Sequence, residues 1–107
     1  MKVIKIKWTP FSISKLSEIY NHIYRKEQSH SLATRQLDRL IDGVSLLKDQ
    51  PEIGPVEPLL KIYSKGHRFL VADSYKIIYR QEGNIILILD VFHTSQHPRK
   101  IKRNRKK

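Results

Sequence analysis

Asp90, His93 and His97 stand within eight residues of one another in the stretch "LDVFHTSQHPRK", and a run of lysines and arginines follows. Imidazole changes charge near neutral pH, so a histidine here can pass a proton, and an arginine near it can hold a phosphate. RNA cleavage by attack of the 2′-hydroxyl needs a base, an acid and a cation that stabilises the pentavalent phosphorus. Arg68, Arg80 and His93 would supply them. The same stretch admits two other uses. It can be the end of a core strand, with His93 bonded to a backbone carbonyl, or a surface that grips another macromolecule. Metal chemistry fits poorly: His93 and His97 align only on a helix, which Pro98 opposes, and the chain contains no cysteine. No metal and no other cofactor is expected.

The remaining candidate groups are cationic. Lys76 and Arg80, two residues apart on one strand, form a basic stripe suited to a phosphate or a carboxylate of a partner protein. Lys61, Lys65 and His67 form a second basic patch. Arg99, Lys100, Lys102 and Arg103 open a third, the tail "RKIKRNRKK", which carries seven positive charges and no acid. The formal net charge is +11, so most of it sits in the last nine residues and residues 1–98 are only mildly basic. Such a tail attracts nucleic acid or an acidic protein without sequence specificity. It marks residues 99–107 as a basic appendage to a single domain at 1–98.

A 107-residue chain with 39% hydrophobic residues is long enough for one core. No apolar run approaches the roughly 20 residues that span a bilayer. The opening "MKVIKIKWTP" interleaves charge with apolar residues and offers no small-residue cleavage site, so no signal peptide and a cytoplasmic location are expected.

The elements that must position these groups follow from periodicity. Lys2 to Trp8 alternates as a strand with one wetter face. Thr9 or Ser12 then caps a helix that runs to Glu27, with Pro10 in its first turn and Ile13, Leu16, Ile19, Tyr20 and Ile23 as its apolar stripe. "QSHS" breaks it, and Ser31 caps a second helix with Leu37, Leu40, Ile41, Val44 and Leu47 inward. Gly43 within that helix costs about 1 kcal/mol relative to alanine. The short break predicts an antiparallel helical hairpin. Pro51 ends the second helix, and "PEIGPVEP" is a turn-rich connector with three prolines in eight residues. "HRFLVA", "YKIIYR" and "NIILILDVFH" follow as three strands at hairpin spacing, an antiparallel meander. The unbroken apolar run from Ile85 to Leu89 places the last strand centrally. The result is an α+β domain: an N-terminal strand, then an antiparallel helical hairpin packed on an antiparallel sheet.

Two-residue loops at Asp73-Ser74 and near Gly83 predict which side chains share a face. Arg80 falls with Leu87, Leu89, Val91 and His93. Arg68 falls on the other face with Ile77, Tyr79 and Asp90. Asp90 in a central strand needs a partner, and this parity offers Arg68 or the Tyr75 and Tyr79 hydroxyls.

The ordered set of segments resembles the RelE/ParE superfamily, the toxins of bacterial type II toxin–antitoxin pairs. "IKWTP" with Leu16, Ile19, Tyr20 and Ile23 is similar to its first strand and helix, and "LIDGVSLLKDQPEIGP" to its second helix and turn. "HRFLVADSYKIIYR" is similar to its arginine-bearing strand and the strand after it, and "ILILDVFHTSQHP" to its final strand. The resemblance implies a partner, a cognate antitoxin in a toxin–antitoxin hetero-oligomer. It also implies one of two activities. Members of the RelE type cut mRNA on the ribosome with lysines, arginines and often a histidine or tyrosine, which here points to Arg68, Arg80 and His93 with nearby lysines. Members of the ParE type bind and inhibit DNA gyrase without such chemistry. Thr94 stands where the nucleases commonly carry a tyrosine after the histidine. With the tryptophan, the hairpin and "YKIIYR", this places the resemblance on the ParE-like branch.

Overall fold

The structure, a computed structural model, describes residues 3–57 and 66–95. Strand β1 (Lys5–Trp8) leads into α1 (Pro10–Glu27) and α2 (His30–Ser45), which a 3-10 turn at Leu46–Lys48 extends. Strands β2 (Arg68–Ala72), β3 (Tyr75–Glu82) and β4 (Ile85–His93) follow. The four strands form one sheet in the order β1-β4-β3-β2. β2, β3 and β4 are antiparallel neighbours, as the meander required, while β1 joins β4 in parallel. The long connection through both helices permits the parallel pairing, since parallel neighbours cannot be joined by a tight hairpin. No helix among the described residues is long and apolar enough to cross a membrane.

Local chemistry sets the element ends. Thr9 caps α1: its Oγ1 accepts the Ser12 N–H at 3.2 Å and donates to the Ile88 carbonyl at 2.9 Å. One side chain therefore caps the helix and ties it to the central strand. Thr9→Ala is expected to cost about 1–2 kcal/mol, the upper range for a lost cap, and Thr9→Ser much less. Urea midpoints of the three proteins measure it. The second helix starts earlier than Ser31 predicts, because Ser29 takes the cap and accepts the Leu32 N–H at 3.2 Å. "SHS" offers two serines, and Ser29 alone has the extended backbone that a cap needs.

Both helices lie on one face of the sheet. Leu40, Val44 and Leu47 from the second helix meet Ile77, Tyr79, Ile86, Ile88 and Val91 in the main core, all fully buried, with Ile6, Trp8, Leu16 and Ile19 packed around them. Gly43 is explained here. A Cβ at that position would stand 3.0 Å from the Ala72 Cβ, so α2 approaches β2 more closely than a larger residue permits. The opposite face carries a smaller cluster of Ile78, Leu89 and Phe92, with Phe69 and Leu87 against it.

Candidate functional site

Both hairpin loops are two-residue turns, Asp73-Ser74 and Gly83-Asn84, and both Asp73 and Gly83 have positive φ. The predicted parity nevertheless fails along β4. Ile78 pairs with Asp90, but the next residue, Tyr79, pairs with Ile88, so Leu89 is an extra residue in a β-bulge. Beyond the bulge Val91 and His93 change face. His93 pairs with Tyr75 and Val91 with Ile77, on the helix face, whereas Arg80 pairs with Leu87 on the other. Arg80 and His93 therefore lie on opposite faces of the sheet, contrary to the sequence expectation.

Each candidate has its own neighbours. Arg68 pairs with Tyr79, as predicted, but its guanidinium donates to the Gly54 carbonyl at 2.7 Å and so closes the turn before β2. Tyr79 holds the same turn, its buried hydroxyl accepting the Gly54 N–H at 3.0 Å. Arg80 forms a 2.8 Å ion pair with the exposed Glu82. Lys76 shares a face with Arg80, as the stripe required. Its ammonium sits 2.7 Å from the buried carboxylate of Glu57 and 4.2 Å from the centre of the Phe69 ring. Asp90 is buried and ion-paired, and the partner is Lys15 of α1 at 3.7 Å, while Asp90 Oδ1 also accepts the Val91 N–H. Asp90 thus reaches the helix that covers the face it was expected to share with Ile77 and Tyr79, while Arg68 is engaged at Gly54. Lys61, Lys65, His97, Arg99, Lys100, Lys102 and Arg103 lie outside the described residues.

His93 opens onto a cleft of about 400 Å³ between α1 and the end of β4, lined by Lys15, Glu18, His22, Tyr75, Ser95 and His93 itself, among others. The spacing of Lys15, Glu18 and His22 puts them on one stripe of α1. Nothing local in the sequence says that this stripe faces the strand end, so sequence reasoning missed it. Ser95 N–H donates to His93 Nδ1 at 3.1 Å. A peptide N–H only donates, so Nδ1 is an acceptor and the neutral ring carries its proton on Nε2. In that tautomer neither nitrogen has a lone pair to spare for taking a proton from a substrate hydroxyl. Among the described residues no group of three or more histidine, aspartate or glutamate side chains is placed to hold a metal ion.

Burial raises the Tyr79 phenol above its ordinary value of 10.0, and burial with the nearby Asp73 carboxylate raises that of Tyr75. Unfolded phenols then ionise first as pH rises. Stability is complete below about pH 10 and falls above it, because the unfolded state has lost protons that the folded state still holds. Urea midpoints are expected to stay level at mildly alkaline pH and to drop beyond it. Tyr79→Phe should flatten that drop while lowering the plateau by about 1 kcal/mol for the lost hydrogen bond.

The architecture is that of a small α+β domain, a helical hairpin on a sheet with β4 and β3 as its inner strands. Comparison with known families makes the assignment specific: residues 6–98 match the family described as "ParE toxin of type II toxin-antitoxin system, parDE". The chain belongs to this family. It is a toxin of the type II toxin–antitoxin class, and its partner is a cognate antitoxin. A solved structure titled "Chromosomal ParDE TA system from P. aeruginosa" is similar in fold, with a TM-score of 0.70 at 22% identity, over 85% of this chain and 96% of that one. Comparison with curated protein sequences gave no significant match.

Proposed function

We propose that this toxin arrests growth by binding DNA gyrase in the cytoplasm, and that a cognate antitoxin neutralises it by direct binding. The observation that carries the reading against a ribosome-dependent mRNA nuclease is the dispersal of the three groups such a nuclease would use. Arg68 is spent on a turn carbonyl, Arg80 lies on the sheet face opposite His93, and His93 is held as an Nε2–H tautomer by Ser95. A site for phosphoryl transfer needs its acid, base and cation converging on one atom. Membership of the ParE family supports the same reading.

In this account residues 1–98 form one domain that binds the target and the antitoxin. Residues 99–107, with Arg99, Lys100, Lys102 and Arg103, provide a basic arm toward an acidic surface. Lys61, Lys65, Lys76 and Arg80 contribute to the same contacts, Lys76 and Arg80 with their charge partly answered by Glu57 and Glu82. Purified protein is expected to inhibit supercoiling by gyrase and to lose that inhibition in the presence of its antitoxin. Supercoiling at an unchanged rate under excess toxin would exclude the proposal.

A further inference from the structure

Two hydrogen-bond donors face the cleft between α1 and the end of β4 without an acceptor among the described residues. Lys15 is the first, with only 12% of its side chain exposed. Its ammonium carries three N–H groups, yet the Asp90 carboxylate that faces it lies 3.7 Å away, an ion pair too long for a hydrogen bond. Asp90 Oδ1 accepts the Val91 N–H at 2.8 Å. A largely buried ammonium costs free energy until acceptors reach its protons. His93 is the second donor. Ser95 fixes its Nδ1 as an acceptor, and the Tyr75 ring meets the imidazole edge-on with centroids 5.5 Å apart, so the Nε2–H is a donor held in place. Asp90, where Lys15 ends, and His93 are three residues apart on β4, which sets their Cα atoms about 10 Å apart. Ile19, Val91 and Phe92 line the wall of the same cleft. The exposed Glu18 adds a negative charge at its mouth, and Asp90 another behind Lys15. One negative charge therefore suits this cleft better than the two of a phosphate monoester.

We propose that this cleft binds a small monocarboxylate that carries a second, uncharged oxygen acceptor at the far end of an apolar body. The carboxylate meets the Lys15 ammonium, the apolar body lies against Ile19 and Phe92, and the second oxygen accepts the Nε2–H of His93. The cleft volume of about 400 Å³ is within the range of small-molecule sites, and an apolar wall with a few fixed polar groups is their usual lining. Nothing in the fit of this ligand depends on which macromolecule the toxin inhibits.

The test is an NMR titration of the labelled full-length protein with three compounds of one shape. They are para-acetylbenzoate, para-ethylbenzoate, which lacks the carbonyl, and para-acetylbenzamide, which lacks the charge. Para-acetylbenzoate is expected to shift backbone signals of α1 around Lys15 and of β4 near His93. The benzamide should bind about tenfold more weakly, for the lost charge-assisted bond, and the ethyl compound about fivefold, for the lost neutral one. His93→Ala should weaken the acetyl acid about fivefold and leave the ethyl acid unchanged. A merely structural role for His93 would move both acids alike. Lys15→Met joined to Asp90→Asn, which leaves no buried charge behind, should bring acid and benzamide to equal affinity. The three compounds on the unmodified protein decide the question even where that double variant fails to fold. Absence of shifts in the cleft, equal affinity for acid and benzamide, equal losses of both acids in His93→Ala, or inorganic phosphate binding as tightly as para-acetylbenzoate would overturn the proposal.

Discussion

Gly54→Ala is expected to destabilise the protein by about 3 kcal/mol or more, the upper range for forced overpacking. A Cβ at this position would stand 2.1 Å from the Phe69 carbonyl oxygen and 2.7 Å from the Tyr79 hydroxyl, and neither can yield cheaply. The carbonyl belongs to β2 and the hydroxyl ends a buried ring. Relief requires the turn to lift from the sheet. That breaks the Gly54 to Tyr79 bond at 3.0 Å, the Arg68 to Gly54 bond at 2.7 Å, and the two edge bonds through Pro55 and Glu57. Each is worth about 1 kcal/mol net. A domain of this size loses roughly 4–8 °C per kcal/mol, so the thermal midpoint should fall by about 15 °C or more. A fall of only a few degrees would mean that the turn is not built as described.

Lys76→Met comes next in size, and its direction separates folding from binding. Glu57 is 1% exposed at the side chain and Lys76 22%, so the pair lies between a surface bridge and a buried one. Removing the ammonium leaves a buried carboxylate without the cation that faces it. The expected cost is about 2–3 kcal/mol, above the 0–1 kcal/mol of a surface pair and below the 3–5 kcal/mol of a fully buried one. Glu57→Gln in the same chain should recover much of the loss, a coupling that a double-mutant cycle in urea measures directly. If Lys76→Met weakens partner binding while the double variant restores it, Lys76 acts through the fold. A loss that persists in the double variant assigns Lys76 to the contact surface.

Most of the fold was legible because hydrophobic period and turn chemistry agreed along the chain. The stripe through Leu16 and Ile19, the break before His30, and the paired turns at Asp73 and Gly83 each state their element locally. The faces of β4 were not legible. Ile85 to Leu89 is apolar throughout, so no polar residue marks which side is which, and the bulge at Leu89 hides in that run. One inserted residue was enough to separate His93 from Arg80. The role of Arg68 was equally hidden, because its acceptor is a backbone carbonyl 14 residues away that no side-chain pattern announces. "PEIGPVEP" reads as a turn in sequence. Its second use, covering the β2 edge, depends on a bridge from Val56 to Arg68.

The central claim is that this toxin acts by binding gyrase and performs no chemistry on RNA. The most direct measurement sets the purified protein and its His93→Ala variant side by side, in a gyrase supercoiling assay and in a ribosome-dependent transcript cleavage assay. The account predicts that both proteins inhibit supercoiling and that transcripts remain intact with either. Codon-dependent cleavage by the parent, abolished by His93→Ala, with supercoiling untouched, would contradict it.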